Sequence, residues 1–532
     1  MNELFKRSFQ LFKLMIRRDR IRASIWIFAL TFFTLIIPSS FQSLYPDQQD
    51  RDAMAVTMEN PAMVAMVGKG DLDNYTIGAM SAHQMVLITA LFVGIMSILL
   101  FVRHTRSDEE EGRVELIRAL PVGRLATIHA ATMYVILVNV VLAVLLAIGF
   151  ILQPIESLGI EGSLLYGATL GGAGICFVAI AALFTQLSDS SRGATGWSIG
   201  LLLFFYVLRA IGDIGNETLS LFSPLGWTMQ TMIFTENHWW PIFLMLAFSF
   251  VVLLLAYRLN AKRDLEAGLF PSKPGKAHAS KSLLSPFGLA FRLQRTAFIS
   301  WAVGMLLLGV SYGSVLGDLD SFFQGNEMVE KILVQEEGYS IAEQFISIIM
   351  TIMAMIATIP AVISINKLNS EEKKSRLELL YAKSVSRKTM LVSYLSVAVI
   401  NAIVTVVLAG TGLWAAGSTV MDDPVSFGSI VGASAAYIPA MFVMIGLSAL
   451  LIGLKPNVLS LTWVYLVYSF IVVYMGNLFQ LDEWFSNVTP FGHVSQLPVD
   501  DFEAIPFLVL IGLAVILVVA GLKFYSKRDI QG

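Results

Sequence analysis

Apolar and polar positions along this chain alternate on the scale of whole helices. Runs of about 20 apolar residues, enough to carry a helix across a hydrocarbon core of about 30 Å, recur twelve times. In the first half they lie at about 23–44, 83–102, 128–152, 164–187, 194–212 and 240–257. In the second they lie at about 296–316, 345–365, 390–414, 430–453, 459–479 and 504–525. The pattern predicts an all-α polytopic membrane protein, since a helix satisfies its own backbone polar groups in lipid. Residues 2–22 space Leu4, Phe5, Phe9, Phe12 and Ile16 among Lys6, Arg7, Lys13, Arg17 and Arg18. That spacing predicts an amphipathic interfacial helix ahead of the first span. Residues 283–295 repeat it in shorter form ahead of the seventh. A long amphipathic segment followed by a full-length span does not read as a cleavable leader.

Composition agrees with the pattern: 56% of the 532 residues are hydrophobic and 14% charged, against roughly 25% charged in soluble chains. A net charge of -3 offers nothing to nucleic acid. The distribution of charge says more. With both termini in the cytoplasm, every Lys and Arg falls on the inner side except Arg51, Lys69, Arg209 and Lys331. The positive-inside rule therefore favours an even number of spans with both ends inside.

The chain also repeats itself. SDEEEGRVELIRALPVGR, from Ser107, and SEEKKSRLELLYAKSVSR, from Ser370, align without a gap at an offset of 263. Lys262-Arg263-Asp264 echoes Lys527-Arg528-Asp529 at 265, and Trp197 pairs with Trp463 at 266. Six spans per unit give the two halves one orientation, a parallel repeat. The expected division is 1–265 and 266–532, with a cytoplasmic linker over about 258–292 that is rich in Pro, Gly, Ser and Lys.

Each charged segment follows the second span of its half, on the cytoplasmic side. Glu109 with Arg113, and Glu372 with Arg376, stand four apart with the acid first, the order that stabilises a helix face. One such run alone reads as a solvated loop. Two at matched positions suit docking onto a two-fold partner. RHTRSDEEEGRVELIRALPVGR resembles the cytoplasmic signature of the duplicated permeases of ABC transporters in the antibiotic-exporter group, the polyketide or tetronasin type. The resemblance extends over the whole chain.

The resemblance implies that each segment is a coupling helix seated on a separately encoded ATPase, present in two copies, in a bacterial plasma membrane. Glu109, Arg113, Glu115 and Arg118 would contact one ATPase, and Glu371, Glu372, Arg376 and Glu378 the other. The second copy departs from the pattern at Lys373-Lys374 and at Tyr381, which stands where the first has Arg118. ATP and Mg would belong to the partner, with no cofactor or metal on this chain. The sequence contains no G-x-x-x-x-G-K-[ST] phosphate loop. The substrate would be a small hydrophobic or amphipathic compound drawn from the lipid or the cytoplasm.

Polar residues at membrane depth are the candidates for a substrate pathway. These are Gln84, Asn139, Gln344 and Asn401, joined by Met350 and Met353 as an adaptable apolar wall. The plainer alternative for each is an interhelical hydrogen bond or ordinary packing. Arg209 and Asp213, four apart, have ion-pair spacing at an outer end, and Cys176 reads as a small packed hydrophobe. A twelve-span proton-coupled drug carrier is the rival architecture, also built from parallel six-span halves. It fits the Glu-rich segments less well, and acids central in the membrane are lacking. The six histidines are scattered along the chain, which argues against an enzyme.

Overall fold

The computed structural model describes residues 3–264, 268–269, 278–318, 340–382, 385–421, 423–475 and 482–528. Residues 265–267 and 270–277 of the expected linker, the acidic segment around Lys331, and Ser384 and Asp529 lie outside the described residues. The protein is an all-α polytopic membrane protein, with twelve helices long and apolar enough to span a membrane and no β-strand among the described residues. In the first unit, Met1–Gly275, the spans are α1 (Ser8–Leu44), α2 (Ile77–Val102), α3 (Ala126–Ile151), α4 (Ile160–Leu187), α5 (Ser191–Ile214) and α6 (Trp240–Lys262). In the second, Lys276–Gly532, they are α7 (Pro286–Gly313), α8 (Ile341–Lys373), α9 (Arg387–Val420), α10 (Phe427–Leu454), α11 (Leu461–Met475) and α12 (Ala504–Lys527).

The amphipathic segments are not separate helices. α1 runs unbroken for 37 residues through the expected junction near residue 22, and residues 286–295 are the first turns of α7. No Gly or Pro stands between Ser8 and Ile37 to stop α1. At about 1.5 Å per residue, α1 is roughly 55 Å long and extends well beyond the hydrocarbon layer. Leu11, Met15, Asp19 and Ala23 are buried at successive four-residue steps, so one stripe of this extension faces the bundle.

In the first unit α4 is the central helix, packed on α2, α3, α5 and α6. Its GATLGGAG stretch allows this: a Cβ on Gly174 would collide with the Asn139 side chain of α3. In the second unit α9 packs on α7, α8 and α10, and α10 packs on α12. α10 is interrupted at Tyr437, before Pro439, which has no N–H to continue the ladder. Phe28, Phe33, Phe243, Phe250, Leu508 and Ile516 are largely exposed on the bundle surfaces, as lipid-facing residues are.

Candidate functional site

The charged segments continue the second span of each unit. α2 passes through a π-helical turn, Arg103–Ser107, into Asp108–Glu110, and ends at Gly112. Gly112 has φ 72°, a left-handed conformation that glycine adopts without a Cβ penalty. A short helix, Arg113–Arg118, follows. In the second unit α8 runs to Lys373, Ser375 takes φ 53°, and the short helix is Glu378–Tyr381.

These left-handed residues fall between the members of the expected i,i+4 pairs, so neither pair forms. Arg113 donates instead to Asp108 Oδ1 at 2.7 Å, and Arg376 to Glu371 Oε2 at 3.2 Å. The freed acids turn inward. Glu109 accepts from Arg106 at 3.0 Å and from Arg263, at the end of α6, at 2.8 Å. Glu372 accepts from Arg528, at the end of α12, with the Tyr525 hydroxyl at 3.5 Å. The first arginine after each segment completes the latch: Arg124 donates to the Arg263 carbonyl at 3.0 Å, and Arg387 to the Arg528 carbonyl. The Lys-Arg-Asp echo is legible in the sequence, but which residue it closes on is not.

The expected coupling residues thus divide into two groups. Glu109, Glu371 and Glu372 are buried in ion pairs within their own unit. Arg113, Glu115, Arg376 and Glu378 are exposed. Arg118 is half-buried, its guanidinium pKa pulled down by burial and by Arg124 and Arg263, against the opposite pull of Glu109. Leu116 and Leu379, matched in the repeat 263 residues apart but not among the expected coupling residues, are 75% and 74% exposed outside the spans. Their signal was a leucine flanked by charge at the same place in both copies.

The first unit carries a second buried cluster with no counterpart in the sequence reading. Asp19 of α1 accepts from His104 Nε2 at 2.8 Å and faces Arg103 at 3.1 Å. Arg18 donates to Asp108 at 2.8 Å and lies 2.9 Å from His104 Nδ1. With Nδ1 accepting from a guanidinium, the Nε2 proton is the one that Asp19 receives.

The pathway candidates are occupied in packing. Asn139 donates to Ser97 Oγ at 3.0 Å and to the Val135 carbonyl, and Asn401 donates to Ser364 Oγ at 2.9 Å. Each thereby joins the second and third spans of its unit. Gln84 donates to the Tyr75 hydroxyl at 3.3 Å, and Gln344 is half-buried in the first turn of α8. Met350 and Met353 are fully buried, with Ser434 donating to the Met350 sulfur. Arg209 and Asp213 form a buried ion pair at 2.9 Å. The same guanidinium donates to the carbonyls of Val64 and Ala65, and so holds the short helix Pro61–Val67 against α5. Among the described residues no group of three His, Cys, Asp or Glu side chains could hold a metal ion.

Twelve lipid-suited helices, with a braced polar connection after the second span of each unit, define a polytopic membrane protein. The chain belongs to the family of the multidrug efflux system permease Rv1217c: the family model described as "Multidrug efflux system permease Rv1217c, C-terminal domain" matches residues 10–258 and 283–525. It is also 34% identical over 532 residues to the multidrug efflux system permease protein Rv1217c of Mycobacterium tuberculosis (strain ATCC 25618 / H37Rv). That alignment covers 99% of this chain and 96% of the relative.

Proposed function

We propose that this chain is the membrane-spanning permease of an ATP-driven ABC exporter of the duplicated antibiotic-exporter group. It moves drug-like compounds out of the cell, as the multidrug efflux name of its mycobacterial relative suggests, and these compounds are hydrophobic or amphipathic. Both termini and both charged connections face the cytoplasm, the side favoured by the distribution of Lys and Arg. Two copies of a separate ATPase, carrying ATP and Mg, dock there.

One observation carries the coupling role. In each unit the acids next to the span are used internally, which braces the connection, while the same leucine, Leu116 or Leu379, projects from its far side. Exposed leucines in a polar connection are suited to a partner's pocket, where burial of each contributes about 1.5–3 kcal/mol. Glu115 and Glu378 flank them and supply charge at the rim. The brace transmits a push from the ATPase to the ends of α2 and α6, and of α8 and α12.

The test is co-purification with a separate ATPase subunit, sought first in the neighbouring reading frame. Leu116→Arg combined with Leu379→Arg should leave the permease folded, because both side chains already lie in solvent, and should cost at least about 100-fold in ATPase retention. Retention at the wild-type level would sink the docking role. Export that survives a protonophore and stops with vanadate supports the ATP-driven reading; the reverse pattern favours the proton-coupled carrier.

A further inference from the structure

Beneath the first unit, Arg118, Val122, Arg124, Arg263 and Asp264 line an open cleft of about 380 Å³. Arg106 and Glu109 line its inner recess, together with Arg118, Arg124 and Arg263. Among the described residues, four guanidinium groups thus face two carboxylates. Glu109 is already shared by Arg106 and Arg263, and Asp264 is exposed at the rim. Arg124 donates to a backbone carbonyl, and Arg118 makes no ion pair among the described residues.

The second unit shows the same position closed. Tyr381 replaces Arg118, and its hydroxyl meets that of Tyr525 at 2.8 Å, against Glu372. An arginine that makes no ion pair among the described residues of one unit, where the other has a tyrosine pair, marks a place built to receive charge from outside. Its depth in the bilayer follows from the backbone. Gly123 and Leu125 donate to the carbonyls of Lys6 and Leu4, which draws the basic and aromatic start of the chain to the cleft rim. The cleft therefore lies where the spans leave the hydrocarbon.

We propose that this cleft is an anion site that takes a phosphate group, gripped by Arg118 and Arg124 with Arg263 in the wall behind. Planar guanidiniums suit phosphate oxygens, since they offer paired, charge-assisted donors. Basic pockets at the inner ends of spans favour lipid headgroups in the same way. The site stands on the first unit alone, so its failure would leave the exporter reading untouched.

The experiment uses the full chain, delipidated in detergent and then offered phosphatidylglycerol, phosphatidylcholine or inorganic phosphate. Bound lipid is counted by native mass spectrometry and stability is followed by thermal melting. Wild type should retain phosphatidylglycerol over phosphatidylcholine. Arg118→Tyr, which copies the second unit, should lose about tenfold in that retention, and Arg118→Lys should keep most of it. Arg118→Gln adds no bulk and serves should the tyrosine fail to fold. Displacement of the lipid by inorganic phosphate, with a rise in melting temperature, would support the site with free phosphate as its source; a response to the lipid alone supports a headgroup. Equal retention of both lipids by wild type, or unchanged phosphatidylglycerol retention in both Arg118→Gln and Arg118→Tyr, overturns the proposal.

Discussion

The two charged connections share a latch and differ in almost everything around it. In each, the acid before the left-handed turn closes on the arginine that ends the sixth span of its unit, Glu109 on Arg263 and Glu372 on Arg528. In each, the next arginine holds that residue's carbonyl. Around this common frame, the first unit gathers Arg106, Asp19, His104 and Arg103, while the second uses Tyr381, Tyr525 and Lys367. What the two copies retain is the tie between the connection and the bundle. The neighbours are free to vary because a buried charge needs a partner of opposite sign in good geometry and accepts several kinds.

Breaking the latch gives the largest effect, and it should be larger in the first unit. Glu109→Ala removes the carboxylate that two buried guanidiniums, Arg106 and Arg263, share, and should destabilise the chain by about 3–5 kcal/mol. Glu372→Ala strands Arg528, which keeps some access to solvent, and should cost about 2–3 kcal/mol. Thermal unfolding of the purified chain compares them. An equal loss at both positions would show that Arg106 adds nothing to the first latch.

Arg209 sharpens the contrast at the opposite end of the spans. At the offset of 266 that relates Trp197 to Trp463, its counterpart is Met475, so only the first unit has a buried arginine here. Arg209→Met leaves Asp213 buried without its partner and releases the Val64 and Ala65 carbonyls. A loss of about 3 kcal/mol is expected. The segment between Leu44 and Ile77 should become the first site of limited proteolysis. Unchanged cleavage there would mean that α5 does not hold the segment in place.

How much of this could be read in the sequence depends on the length scale. Apolar runs of about 20 residues locate the spans because lipid leaves a helix few alternatives. The repeat is visible because the same charges recur at steady offsets. The Arg209–Asp213 pair is local, four residues apart on one helix, and was legible for that reason. The partners of Glu109 and Glu372 were not, because a single left-handed residue, Gly112 or Ser375, changes the register of every charge after it. The right partners lie 154 and 156 residues away. The continuity of α1 was missed because its basic residues read as a headgroup layer, whereas buried Asp19 ties that stretch to α2.

A transplant tests whether the charge clusters are interchangeable. Asp19 and Gln294 stand 275 residues apart, as do Trp26 and Trp301, and His104 corresponds to Lys367 at 263. In the second unit Lys367 reaches Glu371 at 3.0 Å. Asp19→Gln alone should cost about 2 kcal/mol by removing the carboxylate that His104 and Arg103 face. Adding His104→Lys offers Asp108 the partner that Glu371 has, and should recover more than half of the loss. No recovery in a double-mutant cycle would show that the two clusters are separate solutions rather than variants of one.

The smallest effect comes from Asn139 and Asn401. Both bridge the second and third spans through a serine and donate to a further carbonyl, Val135 for Asn139 and Pro360 for Asn401, but only the carbonyl oxygen of Asn139 also accepts, from Ser97. The carbonyl oxygen of Asn401 has no partner. Interhelical hydrogen bonds in membranes average about 0.6 kcal/mol and reach about 1.7. Asn139→Leu should fall near the upper figure and Asn401→Leu near or below the lower, since the second removes a polar atom that was already unsatisfied. If both residues serve only packing, neither substitution changes which compounds are exported. A shift in substrate range from Asn401→Leu at unchanged stability would instead place its unpartnered oxygen on the transport route, and would make the two bridges functionally unlike despite their matched positions.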